Sequence, residues 1–254
     1  MNLGYFMATY MFICLAAVFA VVSLICLAAK SSRASSALWA ASVVLMVDVV
    51  CRAFIENGLP LRDMFDVFLI LAALYIPAGD LCRKLTGQTT IFADAIVQLL
   101  LLCPLAFAFS PEAKPIAPIL RSNLFAPHVL CYMLAYVLLF KAAVISSKVL
   151  RGIAAAEAVD KIVVLAMPFM TAGLLLGAVW GKRAWGDWWN WDPKELWSLA
   201  CWCVYFAYLH FRIAMPAKQK TAIVISLAGF ACVILTLVWV NLSGSFVGLH
   251  NYAG

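Results

Sequence analysis

The sequence predicts an all-α polytopic integral membrane protein of about eight transmembrane helices, and three observations carry that reading. Hydrophobic residues fill 66% of the 254 positions and charged ones only 12%, whereas a soluble domain is roughly half apolar and about a quarter charged. The apolar residues come in runs of about 20, the length a helix needs to cross a hydrocarbon core about 30 Å thick. The lysines and arginines gather between the runs, where topology signals sit.

The first run, Tyr5–Ala29, lacks a basic leader and a small-residue cleavage site and is too long for a signal-peptide core, so it is expected to stay as a helix. Ala37–Ile55 follows, with Asp48 and Arg52 spaced i, i+4 as an expected mutual neutralisation. Met64–Leu81 and Ile91–Phe109 flank the basic pair Arg83-Lys84. Pro127–Leu150 opens on proline, which suits a first helical position because its missing N–H is not needed there. Lys161–Trp180 comes next. Pro193–Arg212 is introduced by Asp192, with Pro193 at the first and Glu195 at the third helical position, a capping-box pattern rather than an acid–base pair. Thr221–Leu242 is the last run. An even number of spans puts both termini on one side. Ten Lys and Arg fall in the inner loops against seven outside when the termini are outside, so the termini and the connection 181–192 are expected on the outer face.

No internal repeat or low-complexity linker interrupts the runs, and the chain is expected to be one membrane domain, 1–254. Nine cysteines lie almost entirely within apolar runs without a C-x-x-C pair and read as small buried hydrophobes. The net charge of +6 sits at loop ends and does not imply nucleic acid.

Function concentrates in the segment 181–197. Trp185, Trp188, Trp189, Trp191 and Trp197 lie there, interleaved with Gly186, Asp187, Asn190 and Asp192. Tryptophans form an ordinary belt at a membrane interface, but five so close together exceed what anchoring requires. Flat apolar faces with indole N–H donors beside polar residues suit a large, flat, amphiphilic ligand, and Gly186 permits close backbone approach.

The chain has three histidines. His128, at the start of the fifth run, and His250, in the tail, are both expected on the face that carries the tryptophans. Either alone reads as an interfacial residue. Together, two imidazoles fit axial ligation of a haem iron, with Lys182, Arg183 or Lys194 near its propionates. His210 lies 17 residues beyond Pro193, about 26 Å along a helix, near the inner face. It is either a boundary residue beside Arg212 or a ligand at a second, inner site.

These segments together resemble the haem-handling family marked by a tryptophan-rich "WWD" segment, on its CcsA/ResC branch of System II cytochrome c biogenesis. The residues that carry the resemblance are Gly177 to Trp180, Ala184 to Glu195, Tyr208 to Arg212, Pro118 to Ser122 before His128, Pro60 to Asp66, and the tail from Asn241 to Tyr252. It covers nearly everything beyond about residue 58. The resemblance implies that His128 and His250 bind haem axially over Trp185, Gly186, Asp187, Trp188, Trp189, Trp191 and Asp192, and that His210 marks an inner haem site. It also implies a membrane partner, CcsB/ResB, and haem b as the transported substrate. The reaction would be thioether attachment to the C-x-x-C-H motif of an apocytochrome c, which makes the chain a subunit of a holocytochrome c synthase (haem lyase). The membrane would be a bacterial plasma membrane or a chloroplast thylakoid. Asp187 adds a negative charge where that branch carries serine, which bears on how the propionates lie. A CcmC-type delivery protein, working with an ABC transporter and a haem chaperone, is the alternative reading. A quinone- or haem-bearing electron-transfer subunit would need histidine pairs on facing helices at membrane depth.

Overall fold

A computed structural model describes residues 3–112, 115 and 117–239. Eight α-helices among the described residues occupy the places of the eight apolar runs: α1 (Leu3–Ala28), α2 (Ala34–Ile55), α3 (Met64–Thr86), α4 (Ile91–Phe107), α5 (Phe125–Leu150), α6 (Ala156–Trp185), α7 (Pro193–Ala214) and α8 (Gln219–Ile234). A short 3₁₀ turn, Pro118–Leu120, precedes α5, and a π-helical turn, Leu235–Trp239, extends α8. Six helices, α1, α2, α3, α5, α6 and α8 with its π turn, are long and apolar enough to cross a membrane. The chain is an all-α, polytopic integral membrane protein. α4 is apolar but has 17 residues, about 26 Å at 1.5 Å each. α7 has 22 residues, but Lys194, Glu195, His210 and Arg212 dilute its apolar character.

α6 departs most from expectation. Its 30 residues make about 45 Å of helix, more than a hydrocarbon core requires. Gly181–Trp185, expected in a connection, is helical. The reason is local: Lys182, Arg183 and Ala184 are good helix formers, and no residue ends the helix before Gly186. That glycine takes a left-handed φ of 91° as the C-cap, with its N–H on the Lys182 carbonyl.

By its internal contacts the chain divides into two compact units. The first comprises 1–81 and 89–116. There α1 lies against α2 and α4: Ser23 Oγ of α1 donates to Ala34 O of α2 at 2.9 Å, while Ser42 Oγ of α2 and Gln98 Nε2 of α4 donate to Ala73 O and Ala72 O of α3 at 2.5 and 3.2 Å. The Arg52 charge acts on Asp48 as expected, but the direct contacts of both side chains go to other partners. Arg52 reaches Asp66 at 3.0 Å and Glu56 at 3.6 Å and donates to Pro111 O at 3.2 Å. Asp48 Oδ1 instead accepts Thr9 Oγ1 at 3.3 Å. The Arg52 guanidinium also lies 4.7 Å from the Phe65 ring centre. Spacing along a helix made Asp48 a possible partner, but the fold of the α2–α3 connection supplies carboxylates in better positions.

The second unit comprises 82–88 and 117–254. α5 packs on α6, α6 on α7, α7 on α8, and α8 returns to α5. Trp180 of α6 sits beside Phe125 at the start of α5, so α5 and α6 run antiparallel. Asp160, near the start of α6, accepts both Nε (2.9 Å) and Nη2 (2.7 Å) of Arg212 near the end of α7, so α6 and α7 also alternate. Tyr208 Oη donates to the same carboxylate at 2.5 Å. α7 and α8 approach closely: a Cβ on Gly229 would stand 2.7 Å from the Tyr205 ring.

Candidate functional site

The tryptophan segment is pinned at both ends. Gly186 closes α6, and Lys182 Nζ donates to its carbonyl. At the other end the expected capping box is present. Asp192 Oδ1 accepts Lys194 N–H at 2.9 Å, while Glu195 Oε2 accepts Asp192 N–H at 3.2 Å and Asn190 N–H at 2.8 Å. Asp192 and Glu195 are therefore committed to the start of α7.

Between these anchors Trp188 and Trp191 expose 58% and 67% of their surface, and Asp187 is exposed. Trp189 meets Trp191 edge to face with centroids 6.1 Å apart. Among the described residues the Trp189 Nε1–H is enclosed without an acceptor, as is the Asn190 side-chain NH2. Trp191 has a left-handed φ of 56°, a conformation that costs a non-glycine residue roughly 1–3 kcal/mol. Trp185, the last helical residue, packs edge to face on buried Trp180 at 4.8 Å.

His128 belongs to this cluster. Its helix starts two residues earlier than expected, at Phe125, which places Pro127 in the first turn, where a missing N–H is still harmless. The His128 ring stacks on Trp180, 5.9 Å between centroids and 20° between planes, and meets Tyr132 edge to face at 5.3 Å. Its Nδ1 lies 2.7 Å from Gly173 O. A carbonyl can only accept, so Nδ1 carries the hydrogen and the ring lone pair resides on Nε2. An imidazole whose other nitrogen is held this way is oriented to ligate a metal. Trp180 is itself fixed by donating Nε1–H to Ile119 O at 3.2 Å.

His210 stands apart, exposed in the last turns of α7. Its Nδ1 is 2.9 Å from Phe206 O, one turn back, and its ring leans on Phe206 at 4.1 Å. Phe206 in turn stacks on Trp202, 4.8 Å apart, and Trp202 Nε1 donates to Thr171 Oγ1 at 2.9 Å. Here too Nδ1 is the donor, to the Phe206 carbonyl. His250 and the tail lie outside the described residues.

The structure thus brings His128 to Trp180 and Trp185, adjoining the tryptophan segment. Trp180, Tyr132, Gly173 and Gly177 are the neighbours that sequence reasoning did not assign a role. One signal was available: Gly173 and Gly177 on α6 and His128 and Tyr132 on α5 share the i, i+4 spacing that puts each pair on one helix face.

The sequence profile of the family described as "Cytochrome C assembly protein" matches residues 31–248. A cytochrome c biogenesis protein CcsA of Prochlorococcus marinus (strain MIT 9303) is 28% identical over 261 residues, covering 84% of this chain and 81% of its own. Another CcsA, from Prochlorococcus marinus (strain NATL2A), is 52% identical over 83 residues, 33% of this chain and 26% of its own. The CcsA of Chlamydomonas reinhardtii is 30% identical over 239 residues, 83% of this chain and 65% of its own. The chain belongs to the cytochrome c assembly protein family, and its role lies in cytochrome c biogenesis.

Proposed function

We propose that the chain is the haem-binding and haem-translocating subunit of a System II cytochrome c synthase. It presents reduced haem b, its transported substrate, on the outer face of the membrane, where two thiols of a C-x-x-C-H motif in an apocytochrome c react. Each thiol adds across a haem vinyl group: a C–S bond forms, the thiol hydrogen goes to the neighbouring vinyl carbon, and the porphyrin undergoes no net redox change. The single observation that carries this reading is the His128 imidazole. Gly173 O holds Nδ1 and Trp180 supports the ring face, which in the neutral imidazole puts the lone pair an iron needs on Nε2, and the segment that follows α6 exposes tryptophan faces that suit a macrocycle.

In this reading His128 and His250 are the axial ligands at the outer site, with Trp185, Gly186, Asp187, Trp188, Trp189, Trp191 and Asp192 forming the shelf. His210 belongs to an inner site that haem visits first, completed by the membrane partner CcsB/ResB. The whole chain works as one membrane domain, in a bacterial plasma membrane or a chloroplast thylakoid.

The purified complex is expected to show low-spin haem. His128→Gly or His250→Gly should lose cytochrome c maturation, with partial return on adding imidazole; maturation unchanged in both variants would sink the axial assignment. His210 is tested by haem loading of the whole complex, and normal loading in a His210 variant removes the inner site. Expression without CcsB/ResB should give no mature cytochrome. The CcmC-type delivery reading draws on the six helices that qualify as spans. Reporter fusions decide it, because delivery predicts that α4 and α7 do not cross, whereas the synthase reading predicts eight crossings.

A further inference from the structure

α6 carries two glycines in an otherwise leucine-rich turn, Gly173-Leu174-Leu175-Leu176-Gly177. Each costs a helix interior about 1 kcal/mol relative to alanine, so two together call for a physical reason. Both face α5. A Cβ on Gly173 would lie 2.9 Å from Cδ2 of Tyr132, and a Cβ on Gly177 would lie 2.5 Å from Cε1 and 2.8 Å from Nδ1 of His128. Real side chains do not approach so closely. The contact at Gly177 differs from ordinary helix packing because it falls on the nitrogen that hydrogen-bonds to Gly173 O at 2.7 Å. In an α-helix the carbonyl of residue 173 points at the N–H of residue 177, and it has a second lone pair to offer. An imidazole can take that second position only if residue 177 has no side chain in the way.

We propose that Gly177 is a positioning residue for haem ligation: its missing side chain lets the Gly173 carbonyl hold Nδ1 of His128, and so sets the tautomer and aim of the ligating Nε2. The inference rests on the reading of His128 as a haem ligand. Trp180, stacked on a face of the ring, limits where the imidazole can retreat. A methyl group at 177 therefore breaks the hydrogen bond rather than merely lengthening it.

The test uses the full chain co-expressed with its membrane partner and reads the absorption spectrum of the bound haem. Gly177→Ala is expected to lose the low-spin spectrum and to lower apparent haem affinity about 10- to 100-fold, the usual effect of removing the group that orients a ligating histidine. Added imidazole should restore part of the low-spin signal, as it should for His128→Gly. Leu175→Ala, between the two glycines on the same helix, is the control: Leu175 is 59% exposed, and its spectrum should match the parent. The double variant His128→Gly/Gly177→Ala separates positioning from folding. With the imidazole side chain gone the clash is gone, so it should accumulate and respond to imidazole like His128→Gly alone.

A parent-like spectrum in Gly177→Ala overturns the proposal. So does a double variant that fails to accumulate or falls well below His128→Gly with imidazole, because Gly177 would then act on the fold and not through His128. If His128→Gly itself keeps the parental spectrum, the ligand reading fails and takes the role of Gly177 with it. If His128→Gly loses the spectrum while Gly177→Ala does not, only the role of Gly177 fails.

Discussion

Replacing Asp192 by alanine and, separately, by asparagine distinguishes a helix cap from a working acid. An N-cap lost to alanine costs about 1 kcal/mol, whereas asparagine caps about as well as aspartate. The Glu195 carboxylate holds two backbone amides, Asp192 N–H and Asn190 N–H. Bonds to charged acceptors contribute about 1.5–3 kcal/mol when enclosed, and Glu195 is half-buried, so Glu195→Ala weakens the junction by about 2 kcal/mol in all. At 1.4 kcal/mol per factor of ten, the two alanine variants shift the segment toward a frayed state about 5-fold and about 30-fold. Haem that binds only the ordered fraction loses apparent affinity by up to the same factors. The assay is a haem titration of the purified complex followed by absorbance, with haem staining of cytochrome c matured in cells. Asp192→Asn and Glu195→Gln should stay within about 2-fold of the parent, since both keep the capping geometry. An Asp192→Asn variant as defective as Asp192→Ala refutes the capping role and gives the carboxylate a chemical one.

Two further perturbations test the frame that holds the site. Asp160→Asn removes the charge that accepts Arg212 and Tyr208. Because the Asp160 side chain is 26% exposed, the loss should be held to about 1–2 kcal/mol, a fall in melting temperature of about 2–8 °C in detergent, and the Asp160→Asn/Arg212→Gln pair should lose less than the sum of its members. In the first unit Arg52→Met removes the cation facing Asp66, a carboxylate about as enclosed as Arg52 itself, while Glu56 keeps Arg62 at 3.0 Å. Leaving a buried charge without its cation costs about 3–5 kcal/mol, so the variant should be nearly absent from membranes on immunoblotting, and Arg52→Lys should recover only part because it lacks the planar fork. Normal accumulation of Arg52→Met would show that the Arg52 network is not structural.

What was legible in the sequence was local. The helices announced themselves by apolar runs, and the start of α7 by three residues whose side chains and backbone meet within one turn. The tryptophans were visible as a cluster because they adjoin in the chain. What was not legible depends on partners brought together by the fold. His128 and Gly173 are 45 residues apart, and nothing in either neighbourhood names the other except the matched i, i+4 spacing of two glycines with a histidine and a tyrosine. Arg52 shows the opposite failure. Its helical neighbour Asp48 offered a plausible partner, but the turn at 56–66 delivers Asp66 to 3.0 Å, a distance set by a connection whose geometry no pattern predicts. The end of α6 was misplaced because hydropathy ends at Trp180, whereas helix geometry ends only at the first residue that can leave it, Gly186.

That difference of five residues alters what the tryptophan segment is. A shelf on a long loop would have to be ordered by its ligand, at an entropic cost of about 1–2 kcal/mol for each backbone residue fixed. Here the helix runs up to Trp185, and the cap of α7 begins at Asp192, so only the residues from Gly186 to Trp191 bridge two rigid ends. Both end residues of that bridge take left-handed backbone angles, 91° at Gly186 and 56° at Trp191. Glycine adopts this conformation freely, whereas tryptophan does so at a cost that the hydrogen bonds of the capping box, Asp192 Oδ1 to Lys194 and Glu195 Oε2 to Asp192 and Asn190, can offset. The exposed faces of Trp188 and Trp191 are therefore set by backbone geometry before any ligand arrives. A preformed surface spends less of its binding energy on ordering itself, which is what the haem-presenting role proposed for this segment calls for.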